Sequence, residues 1–229
     1  MKVIAVIPAR GGSKRIPKKN IIDFMGKPII AWTIEAAQKS KLFERIIIST
    51  DSLEIAEVSQ HYGIEVPFLR NDKNDDISPV SEATLIAIHQ AEAYYNEKYD
   101  FVVQLMANAP LRDEEDIQLH FNHFLETEKS FQLSCFKFGW MNPWWAFKIK
   151  SNGDHEWMLK DGLGKRSQDL EELYCPTGVI WIAKVEALKE SNTFYGPGYT
   201  FCEINWKHAV DIDNIEDLEF AKALFVRNK

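Results

Sequence analysis

A mostly parallel α/β sheet with helices on both faces is the fold this sequence predicts, and three observations predict it. Apolar runs alternate with segments of helical periodicity from residue 2 to about 126. The runs KVIAVIP, RIIIST and DFVVQLM are apolar throughout, as strands covered on both faces are. At 229 residues and 45% hydrophobic, the chain can bury the core of a single domain spanning 1–229.

KVIAVIP is the first strand, and PIIAWTIEAAQKSK (28–41) follows as a helix with Pro28 in its first turn. RIIIST (45–50) is the second strand. Asp51 or Ser52 then caps a helix that Gly63 stops, with Glu54 placed to close a capping box. IEVPFL reads as a short extended piece. A helix over 81–96 leads to the strand at 100–106, and DEEDIQLHFNHFLE carries Ile117, Phe121 and Phe124 at helical spacing behind an acidic first turn. From about 131 the alternation breaks: FQLSCFKF is a strand, and 139–165 holds Trp140, Trp144, Trp145 and Trp157 between turn signals at Asn142–Pro143 and Asn152–Gly153. That stretch is expected to be a β-hairpin excursion. GVIWIAK (178–184) returns as a core strand, and NIEDLEFAKALFVRNK closes the chain as a helix.

Net charge −7 argues against a general nucleic-acid or membrane surface. No apolar run approaches the roughly 18 residues that span a bilayer, and MKVIAVIPAR reads as a strand, not a signal peptide. Cys135, Cys175 and Cys202 are odd in number and widely spaced, which suits a reducing cytoplasm.

Against that acidic background, "IPARGGSKRIPKKN" (7–20) gathers Arg10, Lys14, Arg15, Lys18 and Lys19 without one acid, directly behind the first strand. A solvated loop is one reading. The other follows from position, because open parallel sheets bind ligands beyond the carboxyl ends of their strands. There, Gly11 and Gly12 let backbone N–H groups approach an anion, Ser13 adds a hydroxyl, and Arg10 and Lys14 bring charge for a polyphosphate. The loop has neither the P-loop pattern nor GxGxxG. Ser49, Thr50, Asp51, Arg70, Asn108, Pro110, Leu111 and Arg112 follow other apolar segments toward the same edge. In HAVDIDN, Asp211 and Asp213 would share one face if extended and could hold Mg²⁺; a surface turn, or a helix cap at Asp213 or Asn214, is the alternative.

Taken in order, these motifs resemble the CMP-sugar synthetases that activate sialic acid and related nine-carbon ulosonates. The likeness spans nearly the whole chain: the opening loop, "STD" (49–51), "VPFLR" (66–70), "ANAPLR" (107–112), "RSQDLEE" (166–172), "PTGVIWI" (176–182) and "VDID" (210–213). It implies a Rossmann-like nucleotidyltransferase fold and transfer of CMP from CTP to the anomeric hydroxyl of the sugar, releasing pyrophosphate. By motif position, Arg10, Gly11, Gly12, Ser13, Lys14, Lys19 and Asn20 would hold CTP with Arg70 and Asn108 nearby, and Arg10 and Lys14 would neutralise the leaving pyrophosphate. Asp211 and Asp213 match the magnesium-binding aspartates. Met106, Arg166, Gln168, Trp181, Phe194 and Tyr195 match the sugar side, although core packing is the other reading of the three aromatics. The resemblance also implies a homodimer whose protruding arm, here about 139–165, reaches the neighbouring subunit.

Departures bear on which sugar is used. Met106, in "LMANAPLR", stands where sialate enzymes commonly have glutamine, and Arg15 where many have glycine. "SKRIP" and "RSQDLEE" look closer to pseudaminic acid enzymes, whereas "PLR" and "PTGVIWI" pull toward sialic or legionaminic acid. Asp211 is the carboxylate to suspect as general base. His61, His89, His120, His123, His155 and His208 show no metal-ligand pattern in the sequence, and His120 and His123 are expected on a helix surface. The alternatives are a Kdo or sugar-phosphate nucleotidyltransferase, or a non-catalytic nucleotide-binding dimer.

Overall fold

The computed structural model describes residues 1–70 and 80–227. Its strands and helices are β1 (Val3–Pro8), β2 (Asp23–Phe24), β3 (Lys27–Pro28), α1 (Ile29–Ser40), β4 (Arg45–Ser49), α2 (Leu53–His61), α3 (Val80–Tyr95), β5 (Phe101–Leu105), α4 (Glu114–Thr127), β6 (Phe131–Lys137), β7 (Phe147–Ile149), β8 (His155–Trp157), β9 (Tyr174–Lys184), α5 (Val185–Ser191), β10 (Thr200–Glu203) and α6 (Ile215–Arg227). Residues 228–229, the expected end of the last helix, lie outside the described residues.

Six strands form the central sheet in the order β10-β6-β9-β5-β1-β4. β1 runs parallel to β4 and β5, and β10 parallel to β6, while β9 is antiparallel to both neighbours. The mostly parallel sheet is therefore borne out, with β9 as its reversed strand. β9 is reversed because the chain enters it from the carboxyl edge, after the excursion, and not through a crossover helix. IEVPFL joins no strand. α5 and the four-residue β10 were not expected; a short edge strand carries too little pattern to stand out.

The unbroken apolar runs match burial on both sides. Val3, Ala5 and Ile7 of β1 pack with Ile30 and Ile34 of α1 and with Ile117, Phe121 and Phe124 of α4. Ile4 and Val6 face the opposite layer, with Leu85, Ile88 and Ala91 of α3 and Leu188 of α5. Each fully buried aliphatic side chain contributes roughly 1.5–3 kcal/mol. A third cluster joins Ile16 of the basic loop to Phe24, Ile29, Leu111, Ile212 and α6. It seats both the basic loop and the acidic segment on one apolar footing.

The excursion does contain a hairpin, β7 against β8, turning at Gly153 with φ +88°. Trp140 is 84% exposed and Ile149 74%, beside exposed Met141 and Phe147.

At α2, Ser52 is the cap, its side chain accepting from the Ile55 N–H. Glu54 therefore falls one position short of the capping-box site and binds Lys18 Nζ at 2.6 Å instead. The expected box does not form.

Candidate active site

The carboxyl ends of β1, β4, β5, β6 and β10 share one edge of the sheet. Leaving β1, the basic loop is held by its own backbone. Gly11 N–H donates to Asp51 Oδ1 at 2.8 Å, and Asn20 Nδ2 donates to the Arg10 carbonyl at 2.9 Å. A side chain at 11 would place its Cβ 3.0 Å from Ser52 Cβ, whereas at Gly12 nothing lies within 4 Å. The two glycines thus do different things. Gly11 permits close approach to the start of α2, and its N–H serves Asp51, not an anion. Gly12 opens to solvent with Lys14, and Ser13 is half-buried.

Across the rim, residues 210–213 belong to no strand. Ile212 turns into the core between exposed Asp211 and half-buried Asp213. Asn108, buried after β5, fixes this register from both sides: its Nδ2 donates to the Ile212 carbonyl at 3.0 Å, and Ile212 N–H donates to the Asn108 carbonyl at 2.9 Å. Asn214 caps α6 by accepting from Asp217 N–H at 2.9 Å, while Asp217 accepts from the N–H groups of Asn214 and Asp213. That leaves the Asp213 carboxylate free of capping duty.

The two halves meet at Asp213. Lys19 Nζ lies 2.7 Å from its Oδ1, and Arg15 donates through one guanidinium nitrogen to Oδ2 at 2.7 Å. Partial burial opposes ionisation of Asp213, but Lys19 and then Arg15 outweigh it and hold the carboxyl below its ordinary range. Asp211 behaves oppositely. Its carboxylate is solvent-accessible yet recessed among neighbouring atoms, and that desolvation, followed by the charge of Asp213, raises its pKa. Two adjacent carboxylates that repel each other suit a hard divalent cation with oxygen ligands. Asp211 and Asp213 offer oxygen donors of the kind such a cation takes, and would hold it if Arg15 and Lys19 yield the Asp213 oxygens.

Arg70 is buried beside this loop, donating to the Ser49 carbonyl at 3.3 Å and to Ser49 Oγ at 3.1 Å. Burial lowers its pKa; Asp51 opposes that change and Arg10 adds to it, which places all three in one electrostatic neighbourhood. Arg112 is a clamp in the core: it donates to the Val179 carbonyl and to Thr33 Oγ1, each at 2.8 Å, and burial brings its pKa down to about 10.

Of the residues expected to face the sugar, Met106 is half-buried over β9, its Cγ 3.3 Å from where a Cβ on Gly178 would sit. Trp181 donates to the Thr177 carbonyl and packs between Phe194 and Tyr195, with centroid distances of 5.4 and 5.7 Å. Phe194 has no accessible surface, so it supports Trp181 from the core, whereas Tyr195 is exposed. Burial and then the charge of Asp211 raise the Cys175 pKa, and burial, with smaller additions from Tyr199 and Cys175, raises that of Tyr195. Arg166 is engaged by Asp169 through two bonds of 2.7 and 3.1 Å, and Gln168 lines a recess of about 600 Å³ with Trp140 and Trp145. These two residues gather at the base of the hairpin, apart from the Lys19–Asp213 cluster.

The histidines correct the sequence reading. His120 is buried, 2.8 Å through Nδ1 from the Asp116 carbonyl, and burial lowers its pKa. Its spacing from Ile117 and Phe124 puts it on the apolar stripe of α4. His123 is half-buried against Gln132. His208 does join a potential ligand group: Asp113, Asp116 and His208 present atoms all within 4.8 Å of one another. A separation of 92 residues between Asp116 and His208 left no local signal for this in the sequence.

A basic loop that meets an acidic segment at the carboxyl edge of an α/β sheet is the setting in which such folds bind ligands. The chain belongs to the cytidylyltransferase family, whose model matches residues 4–228. It is 37% identical over 230 residues to a pseudaminic acid cytidylyltransferase of Campylobacter jejuni, covering 100% of this chain and 98% of that one. To the CMP-N,N'-diacetyllegionaminic acid synthase of Legionella pneumophila it is 34% identical over 244 residues, with 100% and 98% covered. A solved CMP:2-keto-3-deoxy-manno-octonic acid synthetase, complexed with CTP, shares the fold at TM-score 0.72 and 17% identity, with 100% of each chain covered. The resemblance read from the motifs is thus borne out at the level of the family.

Proposed function

We propose that this cytidylyltransferase transfers CMP from CTP to the anomeric hydroxyl of a nine-carbon 2-keto sugar acid, with a pseudaminic-type acid as its acceptor. The oxygen on C2 of the sugar forms a bond to the α-phosphorus, the bond from that phosphorus to the bridging oxygen breaks, pyrophosphate leaves and the hydroxyl proton is released. The observation that carries this reading is the meeting of Lys19 and Arg15 with Asp213, which joins the cationic loop to the acidic pair on one rim.

Arg10, Ser13 and Lys14 bind the triphosphate and neutralise the charge that gathers on pyrophosphate. Lys19, Asn20 and Arg70 shape and charge that loop, and Asn108 sets the register of the acidic segment. Asp211 and Asp213 hold Mg²⁺, which when bound supplies positive charge to the phosphate oxygens. If a carboxylate takes the hydroxyl proton, Asp211 is the one assigned to it. Met106, Trp181 and Tyr195 form the acceptor face, with Phe194 behind them, and Arg166 and Gln168 close it from the hairpin side. The exposed apolar hairpin supports a homodimer in which residues 139–165 pack on a second copy. Among the described residues no helix is long and apolar enough to cross a membrane, and a cytoplasmic setting suits CTP-dependent synthesis.

Pseudaminic acid is favoured by two Campylobacter jejuni relatives named for it, at 37% and 36% identity. Legionaminic acid is the second reading, from the 34% relative. The test is pyrophosphate release with CTP, UTP, ATP and GTP against pseudaminic, legionaminic, sialic and Kdo acceptors, with mass spectrometry of the product. CMP-pseudaminate formed from CTP is expected. Turnover of a sugar 1-phosphate and of no ulosonate would overturn the assignment.

A further inference from the structure

The segment that carries Asp211 and Asp213 is seated by buried Ala209 and Ile212 and fixed in register by a small set of polar ties. It leaves β10 through a tight turn in which His208 N–H donates to the Asn205 carbonyl at 2.8 Å and Ala209 N–H reaches the same oxygen at 3.1 Å. Thr177 Oγ1 then donates to the Ala209 carbonyl, and Asn108 grips Ile212. Two side chains of the turn reach helices: Trp206 stacks on Phe220 of α6 with ring centroids 6.3 Å apart, and His208 makes the polar contact to α4. His208 Nδ1 lies 2.7 Å from Asp116 Oδ2 and 3.9 Å from Asp113 Oδ2. Asp113 and Asp116 are themselves fixed by a reciprocal capping box at the start of α4. That helix begins directly after Arg112, at the end of the segment bearing Asn108.

We propose that His208 is a positioning residue for the acidic pair, its imidazole docking the 205–210 turn onto Asp116 so that Asp211 and Asp213 face the nucleotide together. This rests on the reading of that pair as metal ligands. His208 and Asn108 act as two fasteners on either side of Asp211, one to the cap of α4 and one to the loop before it. A rigid base is what a two-carboxylate site needs, because groups that orient metal ligands commonly contribute 10–100-fold to metal affinity or activity.

Electrostatics support the geometry. The hydrogen bond to Asp116 raises the His208 pKa, burial lowers it less, and the charges of Asp116 and Asp113 add to the rise. Burial disfavours the Asp116 carboxylate, but His208 outweighs it and holds that pKa down. The groups facing the imidazole are Asp113 and Asp116 from α4, Lys207 within the turn, and Glu35, Lys39, Arg112 and Glu114 around the same recess of about 290 Å³. The charged imidazole binds Asp116 most strongly, so docking is complete below the ordinary histidine pKa and weakens as pH rises through the elevated one.

The experiment is Mn²⁺ titration followed by electron paramagnetic resonance on the full chain, with and without CTP. The parent is compared with His208→Ala, His208→Asn and Asp211→Ala, and CTP binding without metal is measured alongside. His208→Ala is expected to weaken CTP-dependent Mn²⁺ binding about 10-fold and to leave metal-free CTP affinity unchanged. His208→Asn, whose amide can donate near the Nδ1 position, is expected to restore most of the binding while removing its decline at alkaline pH, and it serves as the test if the alanine variant does not fold. Unchanged Mn²⁺ affinity in His208→Ala overturns the proposal. Binding lost in His208→Ala yet intact in Asp211→Ala overturns it too, by putting the ion on His208 and its aspartates. Absence of CTP-dependent Mn²⁺ binding in the parent overturns instead the metal reading beneath it.

Discussion

The basic loop (9–22) and the excursion (138–173) both leave the carboxyl edge of the sheet, but they are held by different means. The first is fastened by a buried Ile16 and by bonds to Asp51, Arg10 and Asp213. The second presents Trp140, Met141, Phe147 and Ile149 to solvent, and its polar contacts, Lys137 with Glu172 and Arg166 with Asp169, are exposed. Partly buried polar ties hold a geometry more firmly than exposed ion pairs, because a lost partner there leaves a less hydrated group unsatisfied. The nucleotide end is therefore preorganised within one chain. The proposed acceptor end, by contrast, would be completed by a second copy in the homodimer proposed above.

The largest expected effect breaks the preorganised end. Asp211→Ala should lower kcat roughly 10³-fold, since several kcal/mol of charge stabilisation goes with the ion, while CTP binding by calorimetry largely persists. Equal loss of both would show that Asp211 shapes the nucleotide pocket instead. Lys14→Ala comes next, with a loss of about 3 kcal/mol in transition-state stabilisation, or about 10²-fold in kcat/KM. An unchanged kcat/KM would remove Lys14 from the reaction.

The preorganised end was also the more legible one. Its cations sit in one fourteen-residue stretch and its acids in one tetrapeptide, so local pattern plus the carboxyl-edge rule sufficed to bring them together. What sequence could not supply was pairing across distance. Local pattern points the Gly11 N–H at an anion, but Asp51, forty residues on, takes it. It offers Glu54 to a capping box, but the cap falls at Ser52 and Lys18 takes the carboxylate. The polarity of His120 suggests a surface, but its spacing from Ile117 and Phe124 buries it. The reversal of β9 was hidden for another reason: an apolar strand reads alike in either direction.

A third test concerns the open end. Replacing Trp140 and Ile149 by aspartate should convert a dimer to monomers by light scattering and reduce acceptor turnover. The folded chain itself should keep its Tm to within about 2 °C when compared below the dimerisation concentration, because substitutions at highly exposed positions cost little. A large fall in Tm there would mean that the hairpin is part of the chain's own core and that the contrast between the two ends fails.

The smallest structural effect belongs to Arg166. Its pair with Asp169 spans three residues on an exposed turn, with the two side chains 73% and 44% accessible. Such a pair is screened by salt and gives up side-chain entropy, so Arg166→Ala should leave Tm unchanged within error at 0.15 M salt. Its consequence should appear in the acceptor, as a raised KM for the sugar acid with KM for CTP untouched, because a guanidinium that leaves Asp169 can grip the substrate carboxylate in the same two-pronged way. Arg166→Lys should not restore that KM, since an ammonium lacks the planar fork. If instead Tm falls while both KM values hold, Arg166 fastens its own loop, and the acceptor end is more self-contained than its exposure suggests.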